Sequence, residues 1–179
     1  MLFRSILSVV LPLLDGLAVI HEKSYVHRDI KPANIIVTND GKPMLLDFGS
    51  ARAVTGSDQR LTAIVSPGYA PIEQYEELGR QGPWTDIYAM GAVMYWMVTS
   101  KRPVDASARV HRDPLIPAIG YADANPACPY DERFLTAIDL ALKRNEDERP
   151  RSVAEFLRTL GTPSRPLAPT TPSTLPQAT

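Results

Sequence analysis

The chain has 179 residues, of which 44% are hydrophobic and 22% are charged. This length and composition are typical of one globular domain with a sizeable core. The 19 Lys and Arg residues nearly balance the 20 Asp and Glu residues, so the charge gives no electrostatic footprint for nucleic acid or an anionic membrane. Within these residues the single cysteine, Cys128, excludes an intrachain disulfide and a cysteine-based zinc site, and it favours a reducing, cytoplasmic location.

Two apolar runs, residues 6–14 and 87–98, are the longest in the chain, and both are shorter than a bilayer requires. We therefore expect no membrane-spanning segment. The N-terminal run follows a short charged stretch, but no small-residue cleavage site comes after it. This pattern favours a buried helix over a signal peptide.

The first two predicted elements are a helix and a β-hairpin. Residues 2–22 carry apolar side chains on nearly every helical face, which predicts a helix packed on several sides. Pro12 should bend this helix or cost it a hydrogen bond. Two short apolar runs follow, 34–37 and 44–46, separated by Asn-Asp-Gly at 39–41. A β-branched run before such a turn favours a small hairpin.

The middle of the chain combines a long irregular segment with a buried helix. Residues 50–83 are rich in Gly, Ser, Thr, Pro and charge and lack periodicity, and a loop of this length is usually functional or disordered. Thr85 or Asp86 can then cap a helix that runs to about Val98. Because this helix is apolar almost all round, it should lie at the centre of the domain.

The C-terminal part is predicted to contain two helices and a tail. The proline-rich stretch 101–130 favours an ordered but irregular connection, and an amphipathic helix follows over 131–144. Ser152 and Glu155 form the pattern of a capping box at the start of the last helix. Residues 162–179 then contain five prolines and five threonines and almost no core-forming side chains, so we expect a disordered tail.

The most informative segment reads His-Arg-Asp-Ile-Lys-Pro-Ala-Asn over residues 27–34, and Asp-Phe-Gly follows at 47–49. Residues of fixed type at this separation are far more specific than a lone short motif. The two segments resemble the catalytic loop and the metal-binding segment of protein kinases. The resemblance implies a mainly α (α+β) fold, the large lobe of a kinase over residues 1–161, in which a small hairpin carries both segments.

The resemblance also implies that the protein uses ATP and Mg²⁺ for phosphoryl transfer. Asp29 would accept the proton of the substrate hydroxyl, and Lys31 would contact the γ-phosphate. Asn34 and Asp47 would supply hard oxygen ligands for Mg²⁺, and the predicted hairpin brings them towards the same end. Ile36 would lie under the adenine ring, although simple strand core is an equally good interpretation.

The same loop bears on the acceptor and on regulation. Lys31 belongs to the form of the loop that serine/threonine kinases carry, so a serine or threonine of a protein substrate is the expected acceptor. In such kinases the arginine before the catalytic aspartate, here Arg28, commonly pairs with a phosphate on the following loop. Thr62 is the first candidate phosphosite and Thr55 and Ser57 are further ones, with plain solvated loop residues as the alternative.

The resemblance continues downstream of the loop. Ser66 opens the segment Ser-Pro-Gly-Tyr-Ala-Pro-Ile-Glu, which looks like the substrate-binding turn of kinases with serine in place of threonine. It implies a buried ion pair between Glu73 and Arg149, and an Asp86 carboxylate that accepts hydrogen bonds from the backbone of the catalytic loop. The remaining supporting residues are His27, Phe48 and Gly49.

The resemblance covers only the large lobe of a kinase. Met1 falls at the start of what looks like its first long helix, and the sequence contains no Gly-x-Gly-x-x-Gly motif, strand lysine or glutamate-bearing helix upstream. Three hypotheses follow: a kinase truncated at its N-terminus by a wrongly assigned start, a gene disruption or design; a non-catalytic binding module that regulates a partner; and half of a split kinase whose small lobe is another chain. We expect the isolated polypeptide to lack measurable kinase activity and to bind Mg·ATP weakly or not at all.

Overall fold

The structure is a computed structural model that describes residues 3–47, 52–53, 65–76, 78–125 and 128–161. The predicted mainly α fold with a small hairpin is confirmed within these ranges. The helices are α1 (Phe3–Glu22), α2 (Pro83–Thr99), α3 (Ala118–Asp123), α4 (Glu132–Ala141) and α5 (Val153–Thr159). The strands are β1 (Tyr25–Val26), β2 (Ile35–Val37), β3 (Pro43–Leu45) and β4 (Arg52–Ala53), and short 3₁₀ turns lie at Pro32–Asn34, Ile72–Gln74, Ala106–Arg109 and Glu146–Glu148. The predicted tail, 162–179, lies outside the described residues.

Helix α2 is the centre of the domain, as its all-round apolar sequence predicts. Its residues are buried along nearly the whole length, and α1, α3, α4 and α5 all pack against it. The approach of α4 is especially close, because a Cβ atom added at Gly91 would lie 2.6 Å from the Cβ of Ala141. Glycine at this position therefore allows the two helices to pack at short range.

The start of α2 differs from the prediction. The N-cap is Gly82 and the first helical residue is Pro83, so neither Thr85 nor Asp86 caps the helix. Proline suits this position because its φ is already helical and it lacks an N–H group that would need a partner. Thr85 accepts a hydrogen bond from the Gly82 N–H through Oγ1 (3.2 Å), and Asp86 is left to serve the loop at 27–28.

The predicted hairpin is confirmed. Strands β2 and β3 pair antiparallel with Ile35 opposite Leu45, and both side chains pack against the core. In the turn Gly41 has a φ of +80°, which glycine adopts without strain. Beyond the strands the Leu46 N–H donates a hydrogen bond to the Asn34 carbonyl oxygen (2.8 Å), so the end of β3 lies beside the start of β2.

The stretch 101–130 is more regular than predicted, because it contains α3. The N-terminus of α3 is held by Asp139 of α4, whose carboxylate accepts hydrogen bonds from the N–H groups of Ala118 (2.6 Å) and Ile119 (3.1 Å). Helix ends need such partners for their free N–H groups. Here the partner belongs to a different helix later in the chain, so no local pattern indicates it.

The capping box of α5 is formed in part. Ser152 Oγ accepts a hydrogen bond from the Glu155 N–H (3.2 Å), as predicted. The Glu155 carboxylate accepts from the Arg151 N–H (2.8 Å), one residue earlier than a capping box requires. The preceding helix, α4, also ends at Ala141, three residues before its predicted end.

Among the described residues α1 is the one helix long and apolar enough to cross a membrane, over Ser5–Glu22. Only length and composition support this reading, and the core helix of a domain or a signal sequence satisfies the same test. In the structure Ile6, Val10 and Leu14 are fully buried in the core. The absence of a membrane span therefore stays a prediction.

Replacement of Asp139 by alanine should loosen α3, because two N–H groups at its start lose their acceptor. We expect Asp139→Ala to lower the free energy of unfolding by about 1–2 kcal/mol, as loss of a helix cap does. Urea denaturation followed by circular dichroism measures the change. Thr136→Ala, at an exposed position of the same helix, is the control and should change stability by less than about 0.5 kcal/mol. Equal stability of the two variants would contradict the role of Asp139.

Candidate active site

The loop at 27–34 is attached to the buried carboxylate of Asp86, which has no exposed side-chain surface. Asp86 Oδ2 accepts a hydrogen bond from the His27 N–H (2.8 Å), and Oδ1 accepts one from the Arg28 N–H (2.9 Å). His21 Nε2 at the end of α1 lies 2.8 Å from Oδ2. A buried carboxylate needs such partners to offset its lost hydration, so the start of α2 holds the loop backbone in place.

Arg28 is also held by two glutamines. Its φ is +72°, a conformation that few residues other than glycine adopt. The carbonyl oxygen of Arg28 accepts a hydrogen bond from Gln74 Nε2 (2.8 Å). The side-chain Nε of Arg28 donates a hydrogen bond to Gln81 Oε1 (2.6 Å). The residues for which a phosphate was predicted, Thr55, Ser57 and Thr62, lie outside the described part of the chain.

The carboxylate of Asp29 is the centre of a hydrogen-bond network. Lys31 Nζ donates to both carboxylate oxygens (2.9 and 2.8 Å), Ser66 Oγ donates to Oδ1 (2.7 Å), and Asn34 Nδ2 donates to Oδ2 (2.9 Å). Burial raises the pKa of the Asp29 carboxyl, but the bonds from these three partners outweigh it and hold the pKa below the ordinary 3.8. The carboxylate is therefore ionised at neutral pH and can accept a proton.

Asn34 and Asp47 lie at the same end of the hairpin, as the pairing of Leu46 with Asn34 requires. Asp47 is exposed and has a φ of +60°, a left-handed conformation that aspartate tolerates. Asn34 uses its amide nitrogen on Asp29, and within the described ranges no group donates a hydrogen bond to its amide oxygen. A carboxylate and an amide oxygen are hard ligands of the kind that Mg²⁺ prefers, so these residues fit that ion.

The hairpin turns an apolar face to solvent. Ile36 and the opposite residue, Met44, are 39% and 50% exposed, and Leu46 extends the same face. We call these three residues the hairpin face. The interpretation of Ile36 as strand core is therefore wrong, because Ile35 and Leu45 occupy the core side.

Glu73 and Arg149 form a buried bidentate ion pair, with exposures of 3% and 0% and N–O distances of 2.7 and 3.1 Å. Thr85 Oγ1 donates a further hydrogen bond to Glu73 Oε1 (3.1 Å). The guanidinium also donates to the carbonyl oxygens of Lys143 (2.7 Å) and Arg144 (2.8 Å). These added bonds offset the cost of burying two charges. The ion pair itself joins the segment after the substrate turn to the turn that precedes α5.

The turn at 66–70 is fixed by close backbone packing. Gly68 has a φ of +82°, and a Cβ atom there would lie 2.7 Å from the Pro103 carbonyl oxygen. Only glycine satisfies both conditions. Nearby, Asp105 accepts a hydrogen bond from the Tyr75 hydroxyl (2.7 Å). The turn that carries Ser66 is thereby held next to Asp29.

Of the residues predicted from sequence, Phe48, Gly49 and the three candidate phosphosites lie outside the described ranges, and the others are located above. Sequence reasoning missed three residues that support the loop, namely His21, Gln74 and Gln81. For His21 a polar residue at the end of an otherwise apolar helix was a usable signal. The two glutamines carry no local pattern, because each bridges distant parts of the chain.

Comparison with known proteins decides the family. The protein kinase domain model matches residues 4–158, which is most of the chain. The chain belongs to the protein kinase family. The fold of this kinase chain is similar to a solved structure described as PpkA-294 apo form, with a TM-score of 0.73 and 33% identity. That similarity covers 89% of this chain and 54% of the other.

The curated relatives are serine/threonine kinases, several of them bacterial. The chain is 33% identical over 171 residues to the probable serine/threonine-protein kinase PknB of Corynebacterium glutamicum, and 34% identical over 185 residues to the serine/threonine-protein kinase PknA of Nostoc sp.. These matches cover 88% and 98% of this chain but 26% and 30% of the relatives. The chain thus resembles the bacterial type of serine/threonine kinase and spans less than a third of the length of these relatives.

Removal of Arg149 should destabilise the kinase lobe strongly. Arg149→Met leaves the Glu73 carboxylate buried without its cation, so we expect the free energy of unfolding to fall by about 3–5 kcal/mol in urea denaturation. Arg80→Met is the matched control, because Arg80 forms an exposed pair with Glu146 (3.1 Å) and should contribute less than about 1 kcal/mol. Similar losses of unfolding free energy in Arg149→Met and Arg80→Met would contradict the expectation that burial makes the Glu73–Arg149 pair the more important one.

Removal of Lys31 should raise the pKa of Asp29, since the carboxylate loses a cation and two hydrogen bonds. A ¹³C NMR titration of the Asp29 carboxyl should show a higher pKa in Lys31→Met than in wild type. Lys42→Met, which removes an exposed pair with Asp40, is the control and should leave the pKa of Asp29 unchanged. The lowered pKa of Asp29 in the folded state means that the network stabilises the fold fully above pH 3.8 and loses this effect as the pH falls through the folded-state value. The stability difference between Lys31→Met and wild type should therefore shrink at low pH. An unchanged Asp29 titration would contradict this.

Proposed function

We propose that this chain is the large lobe of a protein serine/threonine kinase, which transfers the γ-phosphoryl group of ATP to a serine or threonine hydroxyl of a protein. The network around Asp29 is the observation that carries this proposal. Its buried, ionised carboxylate already accepts a hydrogen bond from a hydroxyl group, that of Ser66, at 2.7 Å. A carboxylate that binds one hydroxyl in this way is suited to bind a substrate hydroxyl and accept its proton.

In this reaction Asp29 orients the attacking hydroxyl and takes its proton as the new bond to phosphorus forms. Lys31, 2.8 Å from the Asp29 carboxylate, is a cation that can balance the negative charge of the transferred group. Ser66 would bind the substrate segment at the turn where it now contacts both residues. Catalysis then depends on how firmly the loop at 27–34 is held.

The proposed cofactors are ATP and Mg²⁺, and the ion would neutralise charge on the phosphate oxygens. Asn34 and Asp47 would hold the ion through their oxygen atoms. Ile36, exposed on the hairpin face, would support the adenine ring through apolar contact.

The exposed hairpin face also supports a second candidate, half of a split kinase whose small lobe is a separate chain. An apolar face of this kind suits coverage by a partner. A non-catalytic regulatory module would use the same face, but it has no need for the Asp29, Lys31 and Asn34 network. The intact network therefore favours an enzyme, with the small lobe supplied in the same chain or by another one.

As an isolated polypeptide, the 179-residue chain should show no measurable phosphoryl transfer from ATP, because half of the nucleotide clamp is not part of it. Filter-binding assays with γ-³²P-ATP and a protein substrate test this expectation. Robust autophosphorylation of the purified chain, abolished by Asp29→Asn, would overturn it.

The positive test joins this chain to the small lobe of a related serine/threonine kinase. We expect the chimera to transfer phosphate to serine or threonine, and Asp29→Asn to lower the rate by about 10²- to 10⁴-fold. Asp40→Asn, in the exposed hairpin turn, is the control and should keep full activity. A chimera that folds and binds Mg·ATP but transfers no phosphate would refute the proposed kinase activity and favour a binding module. Activity with the small lobe added as a separate chain would support the split kinase.

A further inference from the structure

We propose that Gln74 is a positioning residue for the catalytic base. It acts through the main chain of Arg28, the residue before Asp29, and makes no contact with the reacting groups. The proposal relies on the proposed function only for the identity of Asp29 as the base. The contact itself belongs to the fold and is testable without catalysis.

Gln74 is the last residue of the 3₁₀ turn Ile72–Gln74 and is 3% exposed. Its Nε2 donates a hydrogen bond of 2.8 Å to the carbonyl oxygen of Arg28, which is 46 positions away in sequence. A buried side-chain amide and a buried carbonyl both require partners, so each group satisfies the other. Loss of the donor would leave the Arg28 carbonyl without this bond in a site where water has little access.

The consequence for the base follows from peptide geometry. The Arg28 carbonyl and the Asp29 N–H belong to one planar peptide group, so a bond that fixes the carbonyl also orients the start of Asp29. The preceding peptide group, which ends in the Arg28 N–H, is fixed by Asp86 Oδ1 at 2.9 Å. Two consecutive peptide groups before the base are thus each held by a buried side chain from outside the loop.

These two contacts also explain the backbone conformation of Arg28. A φ of +72° is unfavourable for arginine and persists only where the surroundings enforce it. Asp86 holds the N–H side of the residue and Gln74 holds the carbonyl side. With both ends fixed, the side chain of Asp29 is directed towards Lys31 and Ser66.

Gln74 is itself attached to a rigid part of the lobe. The preceding residue, Glu73, forms the buried ion pair with Arg149, and the following residue, Tyr75, donates a hydrogen bond to Asp105 (2.7 Å). Gln74 therefore connects the position of the base to this buried ion pair. This connection is what distinguishes a positioning residue from one that merely fills space.

Gln81 provides a natural comparison. It contacts the same arginine, but it accepts a hydrogen bond from the side-chain Nε (2.6 Å) and makes no contact with the carbonyl. Its loss should affect the Arg28 side chain and leave the peptide group before Asp29 in place. A variant of each glutamine thus separates the two contacts.

The experiment uses NMR of the 179-residue chain with ¹³C and ¹⁵N labels. Gln74→Met keeps the length of the side chain but removes the donor. We expect the Arg28 carbonyl ¹³C resonance to move upfield and the Asp29 amide ¹⁵N resonance to shift with it. The Asp29 carboxyl ¹³C resonance, recorded at neutral pH, should also move, because displacement of the base lengthens the hydrogen bonds from Lys31, Ser66 and Asn34.

Gln81→Met is the matched control and should leave the Arg28 carbonyl resonance and the Asp29 carboxyl resonance as in wild type. Thermal unfolding of both variants separates positioning from stability, since a merely structural role would lower the melting temperature without moving these two signals. Gln74→Leu is the second variant, because it also lacks a donor and offers an apolar side chain of different shape in case the methionine variant fails to fold. The Arg28 carbonyl resonance should move upfield in Gln74→Leu as in Gln74→Met.

Wild-type values of both signals in both Gln74 variants would overturn the proposal. The proposed function is tested separately, because a chimera without transfer activity would leave these NMR signals unaffected. A shift of the signals in Gln74→Met together with unchanged signals in Gln81→Met would support Gln74 as the positioning residue.

Discussion

The structure depends on one buried carboxylate. Asp86 lies in the first turn of the central helix, has no exposed surface, and accepts hydrogen bonds from two consecutive N–H groups of the catalytic loop. A buried carboxylate must find its hydrogen-bond donors within the protein. Separation of the helix from the loop would remove two of these donors from Asp86 at a large cost in free energy. His21 brings the end of α1 to the same carboxylate. The loop is therefore attached to the helix at the centre of the described core.

A buried ion pair, Glu73–Arg149, supports the backbone before Asp29 through a second segment of the chain. The Glu73–Arg149 pair binds the segment after the substrate turn to the turn before α5, and Gln74 extends that segment to the carbonyl before Asp29. The backbone before Asp29 is thus held twice, by Asp86 of α2 and by Gln74. Lys31 and Ser66, which donate hydrogen bonds to the carboxylate, are half-buried, and in the proposed reaction a substrate hydroxyl would compete with them. Firm support of the backbone combined with replaceable side-chain contacts suits the role of proton acceptor proposed for Asp29.

Much of the fold could be predicted because its signals are local. The hairpin follows from β-branched residues on each side of an Asn-Asp-Gly turn, and α2 follows from an apolar pattern on every face. The predicted hairpin between Asn34 and Asp47 indicated that these two residues lie at the same end of it, as the bond between Leu46 and Asn34 confirms. The sequence predicted a cap for α2 at Thr85 or Asp86, but the helix begins with Gly82 as its N-cap and Pro83 as its first residue. Thr85 instead binds Glu73, and Asp86 binds the N–H groups of the loop.

By itself the sequence predicted the hairpin, the central helix α2 and the family to which the segments at 27–34 and 47–49 point, because each of these depends on neighbours within a few positions. The family resemblance further predicted the Glu73–Arg149 pair and the contact of Asp86 with the loop backbone. Only the tertiary structure decided that Asp139 caps a helix 20 positions earlier and that Gln74 reaches a carbonyl 46 positions away. It also decided that Ile36 faces solvent, since burial depends on what packs against a strand. Contacts of this range form only when the chain is folded, so their partners leave no periodic pattern in the sequence.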